Sequence, residues 1–279
     1  MSTFGDHSQR ALLLNFRISG AAERPWLVLL HGFMGSGAEW APLLSRLESR
    51  FRCLVIDLPG HGASRLPEEW GACAMGTTCG LVIDVLDRVG VSAGHLWGYS
   101  LGGRVAMNLL TAQPERFAAV VLESASPGIA EAEARRERAD ADDALALRLE
   151  TEGLARFLEY WYRLPIFGSL QRDPALPRLL QMRLRNDPHA LGEILRRLSP
   201  GRTPWLWSQL TDITRPPTLF VAGAEDEKYC AIGRRLSELN PTIRFEPVSQ
   251  CGHSVHIQRP AALARIVLEF LQEVEGSDD

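Results

Sequence analysis

Lysine is almost missing from this chain: of 30 basic residues among 279, only Lys228 is a lysine. Arginine clusters therefore carry little meaning by themselves, because an arginine-heavy composition supplies them. The formal net charge is −4, which gives no electrostatic reason to expect nucleic acid or an anionic membrane as a partner. No apolar run approaches the roughly 20 residues of a membrane-spanning helix. Between Met1 and Phe16 there is one short apolar run, Ala11 to Leu14, with no basic region before it, so no secretory signal is expected. The cysteines, Cys53, Cys73, Cys79, Cys230 and Cys251, form no C-x-x-C pair and are odd in number, which argues against a disulfide framework and against a zinc site. No metal or cofactor is expected, and a reducing cytoplasm is the expected compartment. Cys251 reads as a small buried residue.

What is present begins with Gly98-Tyr99-Ser100-Leu101-Gly102. A serine held on a sharp strand-to-helix turn brings backbone so close that side chains two residues to each side would collide, hence glycine there. The context suits such a nucleophile elbow. Gly94 to Trp97 reads as a buried strand and Gly103 to Leu110 as a helix packed on a sheet.

A serine hydroxyl needs an imidazole to take its proton and a carboxylate to fix the imidazole tautomer. In an elbow protein these follow downstream as acid, then histidine, each on a loop after a strand. Thr218 to Ala222 is an apolar run followed by the polar turn Gly223 to Glu227, and Asp226 in that turn is the expected acid. Glu225, Glu227 and Glu123, the last closing the run from Ala118, are its competitors. Ile243 to Val248 reads as the next strand, and His253 follows it before a closing helix over 260–274. His256 reads as a pocket or solvated residue, while His7, His61, His95 and His189 lack motif context.

A developing oxyanion requires donors. The backbone N–H of Leu101 supplies one, and the N–H of Phe33, in His31-Gly32-Phe33 after the first evident strand at Trp26 to Leu30, is the expected second. A second glycine-rich turn, Asp57-Leu58-Pro59-Gly60-His61-Gly62, ends another strand. Arg104 lies one helical turn beyond Ser100, on a similar face. A guanidinium there would grip a substrate carboxylate through two parallel hydrogen bonds.

These residues resemble the α/β-hydrolase fold superfamily over 24–125 and 214–275. The resemblance implies a mostly parallel sheet flanked by helices, with the active site at the carboxyl ends of the strands. Alternation of short strands with helical patterns such as Thr78 to Val89 points independently to a parallel α/β domain. Residues 1–126 and 216–279 are expected to form this core, with 127–215, helical in pattern and poor in β-branched residues, inserted as a helical cap. The insertion is not basic overall: over 128–212 it carries thirteen arginines and thirteen acidic residues.

A narrower likeness rests on Gly98 to Arg104, His31 to Ser36, Trp161-Tyr162-Arg163-Leu164-Pro165-Ile166-Phe167, Gly223 to Tyr229 and Gly252 to His256. Together these resemble the 2-succinyl-6-hydroxy-2,4-cyclohexadiene-1-carboxylate synthases of menaquinone biosynthesis, the MenH family. That resemblance implies a lyase that removes pyruvate from a small polycarboxylate cyclohexene, with Ser100, Asp226 and His253 as the triad. It further implies Tyr99, Arg104, Arg138, Trp161 and Arg185 as substrate-binding residues; Arg135 and Arg136 compete with Arg138. Gln258 stands where the pattern has an acidic residue, a departure expected not to touch the chemistry. Two other readings stay open: a serine hydrolase of esters or carbon–carbon bonds, which has no use for Arg104 in the pocket, and a non-catalytic receptor built on the same fold. Oligomeric state is not readable from the sequence.

Overall fold

A computed structural model of the protein describes residues 13–276; His7 and the first half of the run from Ala11 to Leu14 lie outside the described residues. In chain order the strands are β1 (Phe16–Ser19), β2 (Trp26–Leu30), β3 (Arg52–Ile56), β4 (Gly94–Tyr99), β5 (Phe117–Glu123), β6 (Thr218–Gly223) and β7 (Ile243–Val248). They form one sheet in the order β1-β3-β2-β4-β5-β6-β7, parallel throughout except for β1, which runs antiparallel to β3. Strand β1 precedes the first strand evident in the sequence; its exposed middle residues leave no apolar run to mark it.

Between the strands lie α1 (Ala41–Leu47), α2 (Ala74–Val89) and α3 (Leu101–Ala112). Between β5 and β6 come α4 (Ala132–Glu152), α5 (Leu154–Trp161), α6 (Leu176–Arg183), α7 (Pro188–Arg197) and α8 (Trp207–Asp212). The chain closes with α9 (Glu227–Leu239), α10 (Val255–Gln258) and α11 (Pro260–Glu275). Local chemistry sets several boundaries. Asp187 caps α7 by accepting from the backbone N–H groups of His189 and Ala190, with Pro188 at the first helical position. Helix α2 stops at Gly90, whose φ of 77° lies in the left-handed region.

Central strands are apolar on both faces because both are covered. Val28, Leu30, Leu54, Ile56, Leu96 and Val120 face one layer with α2 and α3, whereas their neighbours Leu27, Leu29, Val55, Trp97 and Val121 face α1 and α11. Each fully buried leucine or valine contributes about 1.5–3 kcal/mol of transfer free energy. The segment between β5 and β6 has a core of its own, in which Ala146, Leu149, Phe157, Leu158, Leu179 and Leu191 pack with Met34 from the loop after β2.

Strands β2 and β4 are neighbours, and the chain leaves them toward opposite edges of the sheet. In open α/β sheets such a reversal opens a crevice at the carboxyl ends of the strands. Phe33, Ser100, Asp226 and His253 all follow strand ends: β2, β4, β6 and β7 respectively.

Candidate active site

Ser100 sits between β4 and α3 with φ 49° and ψ −104°, a conformation that L-residues adopt only when their surroundings enforce it. The enforcement is steric. A Cβ at Gly98 would overlap the Gly102 carbonyl, and one at Gly102 would overlap the Leu30 carbonyl. Gly32 is required by its neighbours too, because a Cβ there would enter the Tyr99 ring.

His253 Nε2 lies 3.1 Å from Ser100 Oγ, and His253 Nδ1 lies 2.9 Å from Asp226 Oδ2. An ionised carboxylate only accepts, so Nδ1 carries the proton and Nε2 is the acceptor for the serine hydroxyl. Asp226 is itself held as the N-cap of α9, its Oδ1 accepting from Tyr229 N–H at 3.3 Å. The imidazole is buried beside the rings of Tyr229 and Tyr99, centroids 4.8 and 5.5 Å away. Among the competing acids, Glu123 is turned toward His256, and Glu225 pairs with Arg172.

Ser100 opens into a cavity of about 370 Å³ lined also by Phe33, Leu101, Tyr99, Arg104, Arg138, Trp161 and Arg183. Leu101 is the first residue of α3, so its N–H has no acceptor within the helix. Phe33 stacks edge-on against Trp161 at 5.4 Å, joining the loop after β2 to the helical segment above it. Tyr99 donates to or accepts from Ser254 Oγ at 2.7 Å, and burial holds its hydroxyl well above the usual phenol range. Arg104 hydrogen-bonds the Leu198 carbonyl through Nη1 at 2.7 Å. Burial, and then the Arg138 charge, lower its pKa to about 10, still cationic at neutrality. Arg138 reaches the cavity rather than Arg135 or Arg136, and its Nε is 2.9 Å from Asp142 Oδ2, which also accepts from Ser199.

Arg185 is misplaced by the sequence reading. It lines a separate cavity with Asn15, Arg17 and Asp57, and is exposed. The residue that lines the Ser100 cavity is Arg183, in the last turn of α6. Arg185 lies two residues past the end of α6, in the turn that leaves the helix, and so does not share the face that Arg183 presents. Arg183 is buried, pairs with Glu39 and donates from Nε to Tyr162 Oη at 3.1 Å. Burial opposes its charge, yet Glu39, Tyr162 and Tyr99 together outweigh that and raise its pKa.

His256 is likewise neither solvated nor a pocket residue. It is buried, with Nδ1 2.8 Å from Glu123 Oε1 and Nε2 3.7 Å from Glu39 Oε2. Burial alone would lower its pKa; Glu123 and Glu39 overcome that and raise it to about 9. Arg183, Glu39, His256 and Glu123 thus alternate in sign from α6 to the end of β5. Gln258 does touch the machinery, contrary to expectation: its Oε1 accepts from Gly252 N–H at 3.0 Å, next to His253, and from Ser169 Oγ at 3.1 Å in the helical segment.

The other histidines near the site are clamps. His31 Nδ1–H donates to the Gly32 carbonyl at 2.7 Å while Nε2 accepts from Leu58 N–H at 2.9 Å. His61 does the same between Pro59 and Met34. Burial lowers the pKa of both rings, as expected of neutral imidazoles joining two glycine-rich turns. Cys251 is fully buried, its thiol pushed up to about 12 chiefly by that burial.

The sequence pattern of the α/β-hydrolase fold matches residues 25–260. A putative 2-succinyl-6-hydroxy-2,4-cyclohexadiene-1-carboxylate synthase of Bacillus subtilis is 35% identical over 89% of this chain and 90% of its own length. The enzyme of that name from Serratia proteamaculans is 34% identical, covering 90% of this chain and 95% of its own. The solved structure of MenH from S. aureus superposes with a TM-score of 0.88 at 31% identity, over 95% of this chain and 100% of that one.

Proposed function

This chain belongs to the α/β-hydrolase fold family and, within it, to the 2-succinyl-6-hydroxy-2,4-cyclohexadiene-1-carboxylate synthases, and from that premise we propose how its site works. The protein is a lyase of menaquinone biosynthesis that eliminates pyruvate from 2-succinyl-5-enolpyruvyl-6-hydroxy-3-cyclohexene-1-carboxylate. Ser100, activated by His253, is the base; Asp226 fixes the imidazole tautomer and stabilises the imidazolium.

The proton inventory closes without an acyl-enzyme. Ser100 passes its proton to His253 Nε2 as Oγ removes a proton from the ring carbon bearing the succinyl group. The C–H electron pair forms the C2–C3 double bond, the existing C3–C4 double bond shifts to C4–C5, and the C5–O pair leaves with the enolate of pyruvate. His253 then returns its proton to that enolate, which becomes pyruvate, and Ser100 is left protonated as it began. Charge that collects on the succinyl carbonyl oxygen during proton loss is met by the N–H groups of Phe33 and Leu101. The helices over 127–215 serve as a cap that excludes water and orients the polyanion with its C–H toward Ser100. Five free cysteines suit a cytoplasmic setting.

Arg104 carries this reading over the hydrolase alternative. Among the described residues no carboxylate pairs with it, although it lines the cavity one turn from Ser100. A simple esterase would bury that cation at a cost and gain nothing; a polycarboxylate substrate uses it. Replacing Arg104 by Ala removes a charge-assisted pair of about 1.5–3 kcal/mol, so kcat/KM for pyruvate release falls roughly 10- to 150-fold. Unchanged kcat/KM would return the protein to the general hydrolases.

A further inference from the structure

The elimination chemistry leaves one charged group on the cavity wall without work. It is Lys228, the chain's only lysine. Every other basic residue is an arginine, so composition does not account for an amine at this position. Its place in the fold is electrostatically poor. Lys228 lies in the first turn of α9, where the helix dipole disfavours a cation. Lys228 is exposed overall, but partial desolvation of its ammonium and then the nearby Arg138 charge lower its pKa, opposed by Asp226.

No compensating partner is in reach. Among the described residues no carboxylate lies within ion-pair distance of Nζ, which sits over the Tyr229 ring, 5.4 Å from its centroid. Asp226, two residues away, has its oxygens engaged by His253 and by Tyr229 N–H. The other cations on the wall divide in two. Arg138 is matched by Asp142, and Arg183 by Glu39. Arg104 and Lys228 are unmatched, which leaves the cavity with two cations that its own carboxylates do not neutralise.

We propose that Lys228 is a substrate ligand, holding a second carboxylate of the polyanion while Arg104 holds the first. The proposal rests on the lyase reading, which supplies a substrate with more than one carboxylate. Two grips on separate arms fix the rotation of the ring above Ser100 as well as its position, and rotation decides which hydrogen meets Oγ. An ammonium on a flexible stem suits an arm that moves between substrate and product, whereas a guanidinium fork demands one geometry.

The test compares pyruvate release by wild type, Lys228→Gln and Lys228→Arg, with peptide-mapped trinitrobenzenesulfonate labelling of Lys228 in wild type. Lys228→Gln is expected to lose roughly 10- to 100-fold in kcat/KM, mostly as a raised KM, because the contact exists in ground and transition states alike. Lys228→Arg should recover most of that loss, which a purely structural role for an exposed helix residue would not predict. Saturating reaction product should slow labelling of the single side-chain amine. Wild-type kinetics in Lys228→Gln, or labelling that ignores bound product, overturns the assignment. Absence of pyruvate release from wild type itself overturns the lyase reading, and is a distinct result.

Discussion

Two histidines three residues apart, His253 and His256, each meet a buried carboxylate, yet they belong to different kinds of site. His253 has Asp226 on one nitrogen and, on the other, the hydroxyl of Ser100 at the edge of a cavity. His256 has Glu123 on one nitrogen and Glu39 on the other, with Trp40 and Tyr99 rings at 5.3 and 4.3 Å. The first ring shares its second nitrogen with a hydroxyl that faces the cavity; the second lies between two carboxylates and is hydrogen-bonded through Nδ1, its Nε2 having no hydrogen-bond partner among the described residues. Catalysis needs the open arrangement, because a base must have somewhere to put a proton. The closed arrangement, with a carboxylate on each side, raises the histidine's pKa to about 9 and so keeps it cationic at neutrality, and it ties the catalytic turn to β5 and, through Glu39 and Arg183, to the helices between β5 and β6.

Breaking the open pair has the largest expected effect. His253→Ala should lower kcat for pyruvate release by about 10⁴- to 10⁶-fold, with little change in the urea midpoint. Comparable turnover in that variant would contradict the contrast at its root.

Breaking the closed pair should be felt in stability. Glu123→Gln leaves the His256 cation with one partner in a dry interior, where losing half of a buried pair typically costs 3–5 kcal/mol. Equilibrium urea denaturation checks this, and a loss near zero would mean that the ladder is not an ionic one. The pH dependence sharpens the point. His256 is raised in the folded state from 6.5 to about 9, so its contribution is full below pH 6.5 and is lost as pH rises through 9. Urea midpoints measured from pH 6.5 to 9.5 should therefore fall, and the part of that slope due to His256 should vanish in Glu123→Gln.

The smallest effect concerns the link between the two halves. Gln258→Ala removes the acceptor shared by Gly252 N–H and Ser169, for about 1–2 kcal/mol of stability and a severalfold loss in kcat as the His253 turn loosens. Gln258→Glu keeps the acceptor and should restore both; failure to restore either would show that the shared acceptor is not what holds the turn.

Strand ends were legible wherever local chemistry marks them. The apolar runs at 26–30 and 218–222 coincide with β2 and β6 to within a residue, because buried parallel strands are uniformly apolar, and the mixed run at 243–248 coincides with β7, the edge strand whose Arg244 is exposed. The order of serine, acid and histidine could be read for the same reason, since each follows such a strand. Strand β1 escaped notice through its exposure. Arg183 and Arg185 could not be told apart, because the choice depends on where α6 ends and which way its last turn faces, set by contacts of Arg183 with Tyr162 and Glu39 far away in sequence. Glu39 and its partners carry no local motif; their pairing exists only once the loop after β2 meets the helices between β5 and β6.

Pyruvate release from freshly generated 2-succinyl-5-enolpyruvyl-6-hydroxy-3-cyclohexene-1-carboxylate, followed through a lactate dehydrogenase couple, tests the central claim most directly. Wild type and Ser100→Ala should be run together, with nitrophenyl acetate as a parallel substrate. Release well above the spontaneous rate, lost in Ser100→Ala and accompanied by little ester cleavage, is the predicted result. Release at the spontaneous rate alongside efficient, Ser100-dependent ester turnover would contradict it.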